Sequence, residues 1–526
     1  MKKRILTQAH IIVTLLCAVI ILLSNYLPEA VGPANNGDFL RVMHPNKIEF
    51  LDGNPRTMWR SYGYTPQFVM RLGSGEILSR AVYFIQTDFS RFDFPSSQIL
   101  TIKLSKILNL GFNIISGTPA GTYNLFWLFI IHLAVFSTAI YLILGYILRR
   151  FGMKAFIISS LIAVFVLSDH GYSLYFNSFY GEALQYVMTL LVIGLLLRLD
   201  EGKKGLLIYY IAVYLMATAK FAWIPVGIFF ALAPLAFLLV KDITYPKKKL
   251  AAYSAVTVCA LLAFYSFLIP SWIERDTNFN SVFNGVLRNS QTPEQDLIML
   301  GLDPALAILQ GYEMYMESYP IDIYSEEFNQ AFFEVISKPR ILMFYLRHPA
   351  RFFSILQESA GYARFIRAPY LTSVQNPEYP GQQAYRFSLW EQLRIRLSPL
   401  TNFFFIVFIL SLAAILSMVE FCKICKSKHS SMSLIHPVLL FTLSASAAVS
   451  FVIPYLSNGV ADQAKQLFGF ISLFDIILFT LLACFLCKIS GESFRLQCRK
   501  LYDILAKTAV VTSCNRSCKC REEHGI

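Results

Sequence analysis

Apolar positions gather into ten stretches, at residues 11–27, 124–148, 155–168, 183–197, 206–219, 222–240, 250–270, 400–420, 437–456 and 467–487. A helix needs roughly 20 largely apolar residues to cross a bilayer. The shorter stretches suit helices that stop below one face. The polar positions between them fall into two patterns. Most connections are short and carry Lys and Arg. Two, residues 28–123 and 271–399, are long and mix aromatic, acidic and basic residues. Apolar residues recur at helical spacing inside these long segments, at 77–84, 99–110 and 341–356. That spacing predicts amphipathic helices on or near a membrane surface. The pattern as a whole predicts an all-α polytopic membrane protein with about ten transmembrane helices. Its parts are an N-terminus and first span (1–27), a first long loop (28–123), six spans with short loops (124–270), a second long segment capping the bundle (271–399), three spans (400–487) and a basic tail (488–526). The start Met1-Lys-Lys-Arg4 also fits a signal peptide, but no small-residue cleavage site follows before Pro28.

Composition agrees. Of 526 residues, 56% are hydrophobic and 15% charged, against roughly 25% charged in soluble domains. The formal net charge of +13 does not point to nucleic acid, because its distribution follows the membrane. With Lys2, Lys3 and Arg4 inside and the spans alternating, every short inside loop is basic: Arg149, Arg150 and Lys154; Arg198, Lys203 and Lys204; Lys241 and Lys247 to Lys249; Lys423, Lys426 and Lys428. The short outside turns hold only Lys220 and Lys465. The positive-inside rule thus puts both termini in the cytoplasm and both long segments outside. Of ten cysteines, Cys17 and Cys259 lie in spans and the rest sit at or beyond Cys422, so the outer segments hold no disulfide staple. Cys514, Cys518, Cys520 and His524 fit no standard zinc spacing.

Polar groups with no role in topology collect on the outer side. Just beyond the first span, Asn35-Asn36-Gly37 forms a turn that presents Asp38, with Arg41 three positions on. A carboxylate near lipid suits a general base; an ordinary helix-ending turn would look the same. Between the third and fourth spans lie Asp169, Tyr175, Asn177, Tyr180 and Glu182, where a helix cap and an aromatic belt are the plainer explanations. Lys220 stands alone on an outer turn, snorkelling to the interface or binding a lipid phosphate. Asp462 and Lys465 are one helical turn apart, a surface pair or a site. Arg347 and His348 could serve an anion or simply coat a helix. No phosphate-binding glycine loop, Gly-x-Ser-x-Gly or His-Glu-x-x-His occurs.

Taken together, Asn35-Asn-Gly-Asp-Phe-Leu-Arg41, Tyr175-Phe-Asn-Ser-Phe-Tyr-Gly-Glu182 and Asn458-Gly-Val-Ala-Asp-Gln-Ala-Lys465 resemble the GT-C superfamily of polyprenyl-phosphate-sugar-dependent glycosyltransferases. Within it they resemble the WsfD-type hexose transferases of bacterial glycan biosynthesis. Ser281-Val-Phe-Asn-Gly-Val-Leu287 and Leu300-Gly-Leu-Asp-Pro304 add to the likeness, which runs from the first span to the last and leaves out the cysteine-rich tail. The resemblance implies a hexosyltransferase in a bacterial plasma membrane with its active site outside. Asp38 would be the first-loop catalytic carboxylate, and Glu182, then Asp169, the second-loop acid. Lys220, Arg41, Arg347 and His348 would serve the donor phosphate. Asn35, Asn36, Tyr175, Asn177, Tyr180, Asp462 and Lys465 would line the site. The partners implied are a polyprenyl-phosphate-linked sugar, a glycan or lipid-linked acceptor, and the bilayer. A divalent cation, Mg2+ or Mn2+, is compatible, although Gly37 stands where many superfamily members carry a second acid. Two rivals remain. A flippase or transporter of lipid-linked glycans usually places ionisable groups at mid-membrane, where this chain has mainly Asp475. A surface-polysaccharide polymerase or ligase would share the long outer loops.

Overall fold

The computed structural model describes residues 2–51, 63–71, 95–199, 205–239, 244–426 and 434–488, with side chains from residue 8 onward. The helical spacing at 77–84 and the tail residues Cys498, Cys514, Cys518, Cys520 and His524 lie outside the described residues.

The protein is a polytopic, mostly helical membrane protein. All ten apolar stretches are largely helical over their described residues. Eight helices among the described residues are long and apolar enough to cross a membrane, and Gly181–Leu197 and Gly205–Ala217 are shorter apolar helices. Two sequence expectations change here. The second and third stretches form one apolar run, Phe126–Leu167, interrupted at Gly152 (φ 81°, ψ −173°). The chain doubles back there. Tyr186 packs on Phe136, with ring centroids 6.3 Å apart, and its hydroxyl donates to the Leu167 carbonyl at 2.7 Å. A straight helix would separate positions 136 and 167 by about 46 Å.

The second change concerns Gln98–Ser116, which is long enough to span. Its polar side is inward: Ser105, Lys106, Asn109 and Asn113 are buried, while Leu100, Ile107, Ile114 and Ile115 are exposed. The Gln98 amide donates to the Phe179 carbonyl at 2.6 Å, and Asn113 donates to the Thr122 carbonyl at 2.8 Å. Bonds along its whole length therefore hold it to one end of the bundle.

That end also carries a small sheet absent from the all-α expectation. Strands β1 (Ile48–Phe50), β2 (Gln67–Met70) and β3 (Thr122–Asn124) pair antiparallel in the order β1-β2-β3, with Phe50 opposite Phe68 and Phe68 opposite Tyr123. Phe68 and Tyr123 are fully buried against Phe179, so the sheet is glued to the bundle by aromatic packing.

Residues 271–362 build a cap with its own core of Phe279, Phe283, Leu309, Phe332 and Phe344. Helices Lys338–Arg347 and Pro349–Tyr362 replace the single periodic run expected at 341–356, because Pro349 opens a new helix. Residues after the cap stitch back to the first loop: the backbone N–H groups of Gly32, Ala34 and Tyr64 donate to the carbonyls of Ser373, Thr372 and Val374. At the opposite end of the bundle the Tyr146 hydroxyl lies 2.9 Å from His436 Nε2, and His10 packs on the Tyr141 ring at 4.8 Å.

Candidate active site

The site starts with a buried asparagine. Asn35 Oδ1 accepts from the backbone N–H groups of Gly37 (2.8 Å) and Phe39 (3.2 Å), which fixes the turn read from the sequence. Gly37 takes φ 105°, a value glycine reaches without Cβ strain. Phe39 then packs edge-on against Phe179 and Tyr180. The Tyr180 hydroxyl donates to the Ala34 carbonyl (2.7 Å) and accepts from the Asn36 N–H (3.0 Å). The turn is thus clamped from both sides, and Asp38 projects from it.

Asp38 meets two cations. Its Oδ1 lies 3.0 Å from the Arg41 guanidinium, and its Oδ2 lies 2.6 Å from Lys465 Nζ. Lys465 is also 2.7 Å from Asp462 Oδ2 and 5.0 Å over the Tyr180 ring. The turn that delivers Asp462 and Lys465 depends on Gly459 (φ 56°), where a Cβ would stand 2.5 Å from the Asn284 carbonyl oxygen and 2.6 Å from that of Asn280. A second pair lies beside this cluster: Lys220 Nζ is 2.7 Å from Glu182 Oε1. Lys220 reaches Glu182 across Gly181, whose added Cβ would meet Lys220 Cγ at 3.0 Å.

Three carboxylates and three cations therefore share one end of the bundle. Lys465 and Glu182 are nearly inaccessible, at 1% and 2% side-chain exposure, whereas Asp38, Lys220 and Arg41 keep 22%, 22% and 36%. Burial pushes the Asp38 carboxyl upward, but the charges of Arg41 and Lys465 outweigh it and hold the group below the usual carboxylate range. Asp462 goes the other way: burial, joined by repulsion from Asp38, pushes its carboxyl up to about 6 despite Lys465. Burial opposes the charge on Lys465, yet Asp38 and Asp462 keep it protonated to well above the ordinary lysine value. Both Asp38 oxygens are engaged. Asp462 Oδ1 is buried without a hydrogen-bond partner among the described residues.

The remaining sequence candidates divide. Tyr180 and Asn36 are part of the clamp. Tyr175 is fully buried with its ring edge toward Tyr180, and its hydroxyl has no partner among the described residues. Asn177 is a brace: its Oδ1 accepts from Tyr26 (2.6 Å) and its Nδ2 donates to the Val31 carbonyl (2.9 Å).

Among the described residues Asp169 makes no hydrogen bond or ion pair with this cluster. Its Oδ1 accepts from Gly171 N–H (2.8 Å) and its Oδ2 from Trp390 N–H (2.8 Å), so it caps two helices at once. Arg347 and His348 are also not drawn in. Arg347 ends its helix exposed, and His348 packs on the Phe344 ring at 4.7 Å. Sequence reasoning missed Trp272, whose ring lies 4.8 Å beneath the Arg41 guanidinium. It also missed Arg394 as the partner of Asp475.

Among the described residues no group of three or more His, Cys, Asp or Glu is placed to hold a metal. The ammonium of Lys465 fills the space between Asp38 and Asp462. The residues present do not fit a divalent ion there.

The model of one family, described as the YfdI N-terminal transmembrane domain, matches residues 1–503. The chain belongs to that family. No curated protein and no solved structure matches it. The matched range contains the Asp38, Glu182, Lys220 and Asp462 turns and the cap, so the charged cluster lies within the YfdI-type membrane domain itself.

Proposed function

We propose that this YfdI-type domain is a GT-C glycosyltransferase of the WsfD type, moving a hexose from polyprenyl phosphate to a surface-glycan acceptor at the outer face of a bacterial plasma membrane. The observation that carries the reading is the convergence of Asp38, Asp462 and Glu182 with Arg41, Lys220 and Lys465 at one end of an apolar bundle. A lipid-linked donor would bring its phosphate to such a place, with its chain in the bilayer.

The chemistry needs two things. An acceptor hydroxyl oxygen attacks the anomeric carbon, its proton passes to a carboxylate, and the bond from that carbon to the phosphate oxygen breaks with its electrons going to phosphate. The leaving phosphate needs positive charge rather than a proton. Arg41 and Lys220 are the cations with exposed surface, whereas Lys465 is sealed between carboxylates and sets their charge. One displacement predicts inversion at the anomeric carbon.

Asp38 is the base in this reading. Held by two cations, it is ionised but a weak proton acceptor. A donor phosphate that draws Arg41 away would raise its basicity, so full activity would need the donor in place. A second assignment is favoured by the unpartnered Oδ1 of Asp462 and its value of about 6: Asp462 takes the proton while Asp38 positions Lys465.

The test is to supply purified protein in proteoliposomes with a panel of polyprenyl-phosphate hexoses and to look for polyprenyl phosphate and a new glycosidic bond. Both products are expected. Lipid movement between leaflets without bond formation would make the chain a flippase instead.

A further inference from the structure

The cap reaches the Arg41 side of the charged cluster through Trp272, and the residues around that contact are of a kind that binds sugars. Trp272 and Asp276 are one turn apart on the helix Ser271–Ser281, so they share a face. The Trp272 ring lies 4.8 Å from the Arg41 guanidinium carbon, and Arg41 in turn holds Asp38. The Trp272 indole N–H is buried and has no acceptor among the described residues. Buried donors are usually satisfied, so this one is open to a partner. The Tyr315 hydroxyl donates to Asp276 Oδ2.

Tyr315 itself is held in an unusual way. It takes φ 71°, rare for an aromatic residue, and its side chain is 65% exposed. Both neighbours are tied down: Met314 N–H donates to Asn280 Oδ1 at 2.7 Å, and Met316 N–H donates to the Tyr319 hydroxyl at 2.9 Å. An outlying backbone over-determined by its surroundings, presenting a large ring to solvent, suggests use at that position. Tyr324, also 65% exposed, stands nearby.

The geometry points to a saccharide subsite on the cap, in which Trp272 and Tyr315 give stacking faces, Asp276 accepts from sugar hydroxyls, and the bound chain leads its terminal hydroxyl past Arg41 to Asp38. Pyranose rings carry an apolar C–H face and a polar hydroxyl rim. Aromatic surface beside a carboxylate matches both. The subsite rests on the transferase reading above and gives its glycan acceptor a binding place on the cap, beside Arg41.

The test uses the full chain in nanodiscs, with cellobiose, chitobiose and mannobiose as probes, read by saturation-transfer NMR. At least one disaccharide should bind, with the strongest transfer to its ring C–H protons. Tyr315→Ala and Trp272→Leu should each raise its dissociation constant at least tenfold. Tyr315 is exposed, so Tyr315→Ala should keep the wild-type unfolding temperature and remain interpretable if Trp272→Leu folds poorly. Failure of all three probes to bind wild type, or unchanged affinity in Tyr315→Ala, overturns the subsite. The transferase reading fails separately, if wild-type protein given polyprenyl-phosphate hexoses releases no polyprenyl phosphate and forms no new glycosidic bond, whatever the probes do.

Discussion

The Asp475 and Asp38 clusters both bury charge in this bundle, and they are built on opposite plans. The Asp475 cluster is saturated on its carboxylate side. Asp475 Oδ2 accepts from Tyr172 (2.5 Å) and Trp390 Nε1 (2.6 Å), and its Oδ1 is held by Arg394. Beside it, Glu391 takes two hydrogen bonds from Arg367, at 2.6 and 2.8 Å. Every acid oxygen there has a partner, and both pairs are sealed from solvent. The Asp38 cluster is crowded but incomplete. Two carboxylates compete for one ammonium, Asp462 Oδ1 has no partner among the described residues, and Arg41 and Lys220 remain accessible. A saturated cluster locks helices together, whereas an unfinished one has valence left for a substrate. Burial of charge by itself does not distinguish a brace from a site; the state of the oxygens does.

Substitutions can break that contrast. The largest effect expected is in Asp38→Asn, which should cut sugar transfer by about 10²- to 10⁴-fold while leaving the unfolding temperature in detergent nearly unchanged. Transfer within threefold of wild type would remove Asp38 from the chemistry. Arg394→Met should do the reverse. Stranding Asp475 without its cation should cost about 3–5 kcal/mol, measured as an earlier thermal transition, and a protein as stable as wild type would show that the Asp475 cluster is no brace.

A smaller effect separates the two candidate bases. The carboxyl of Asp462, at about 6 in the folded chain, must be ionised to accept a proton, so transfer should rise as pH increases through about 6. Asp462→Asn should flatten that limb, and an unchanged limb assigns the titration elsewhere. The same group stabilises the fold through its proton, because its folded value is raised above the unfolded one. That contribution is complete below the ordinary carboxylate value and is lost as pH rises through about 6. The smallest effect is expected at Arg347→Ala and His348→Ala, within about 0.5 kcal/mol in stability and with no change in transfer. A clear loss of transfer in either would return those residues to the donor site.

Much of the site was legible because its contacts are local or lie at turns. Asn35 and Gly37 announce a turn by residue type, and Asp38 with Arg41, like Asp462 with Lys465, pairs at a spacing of three. The ten apolar stretches were legible from length alone. What sequence concealed depends on distant partners. Asp169 looks like a site acid until Trp390 N–H, 221 positions away, is found on its Oδ2. Asp475 looks like an isolated mid-span charge until Arg394 arrives from the second long segment. The strands at Ile48–Phe50 and Thr122–Asn124 have three residues each, too few for alternation to register. The Gln98–Ser116 helix carries an amphipathic pattern whose period is plain but whose direction is not, since lipid-facing surface inverts the usual inward apolar side.

The most direct measurement is a cryo-EM map of the protein in nanodiscs with a polyprenyl-phosphate hexose bound. The account predicts the phosphate within hydrogen-bond distance of Arg41 or Lys220, and the anomeric carbon facing the Asp38 and Asp462 carboxylates. A headgroup resting at the opposite end of the bundle, near His10 and His436, or on the cap beside Arg347, would contradict it.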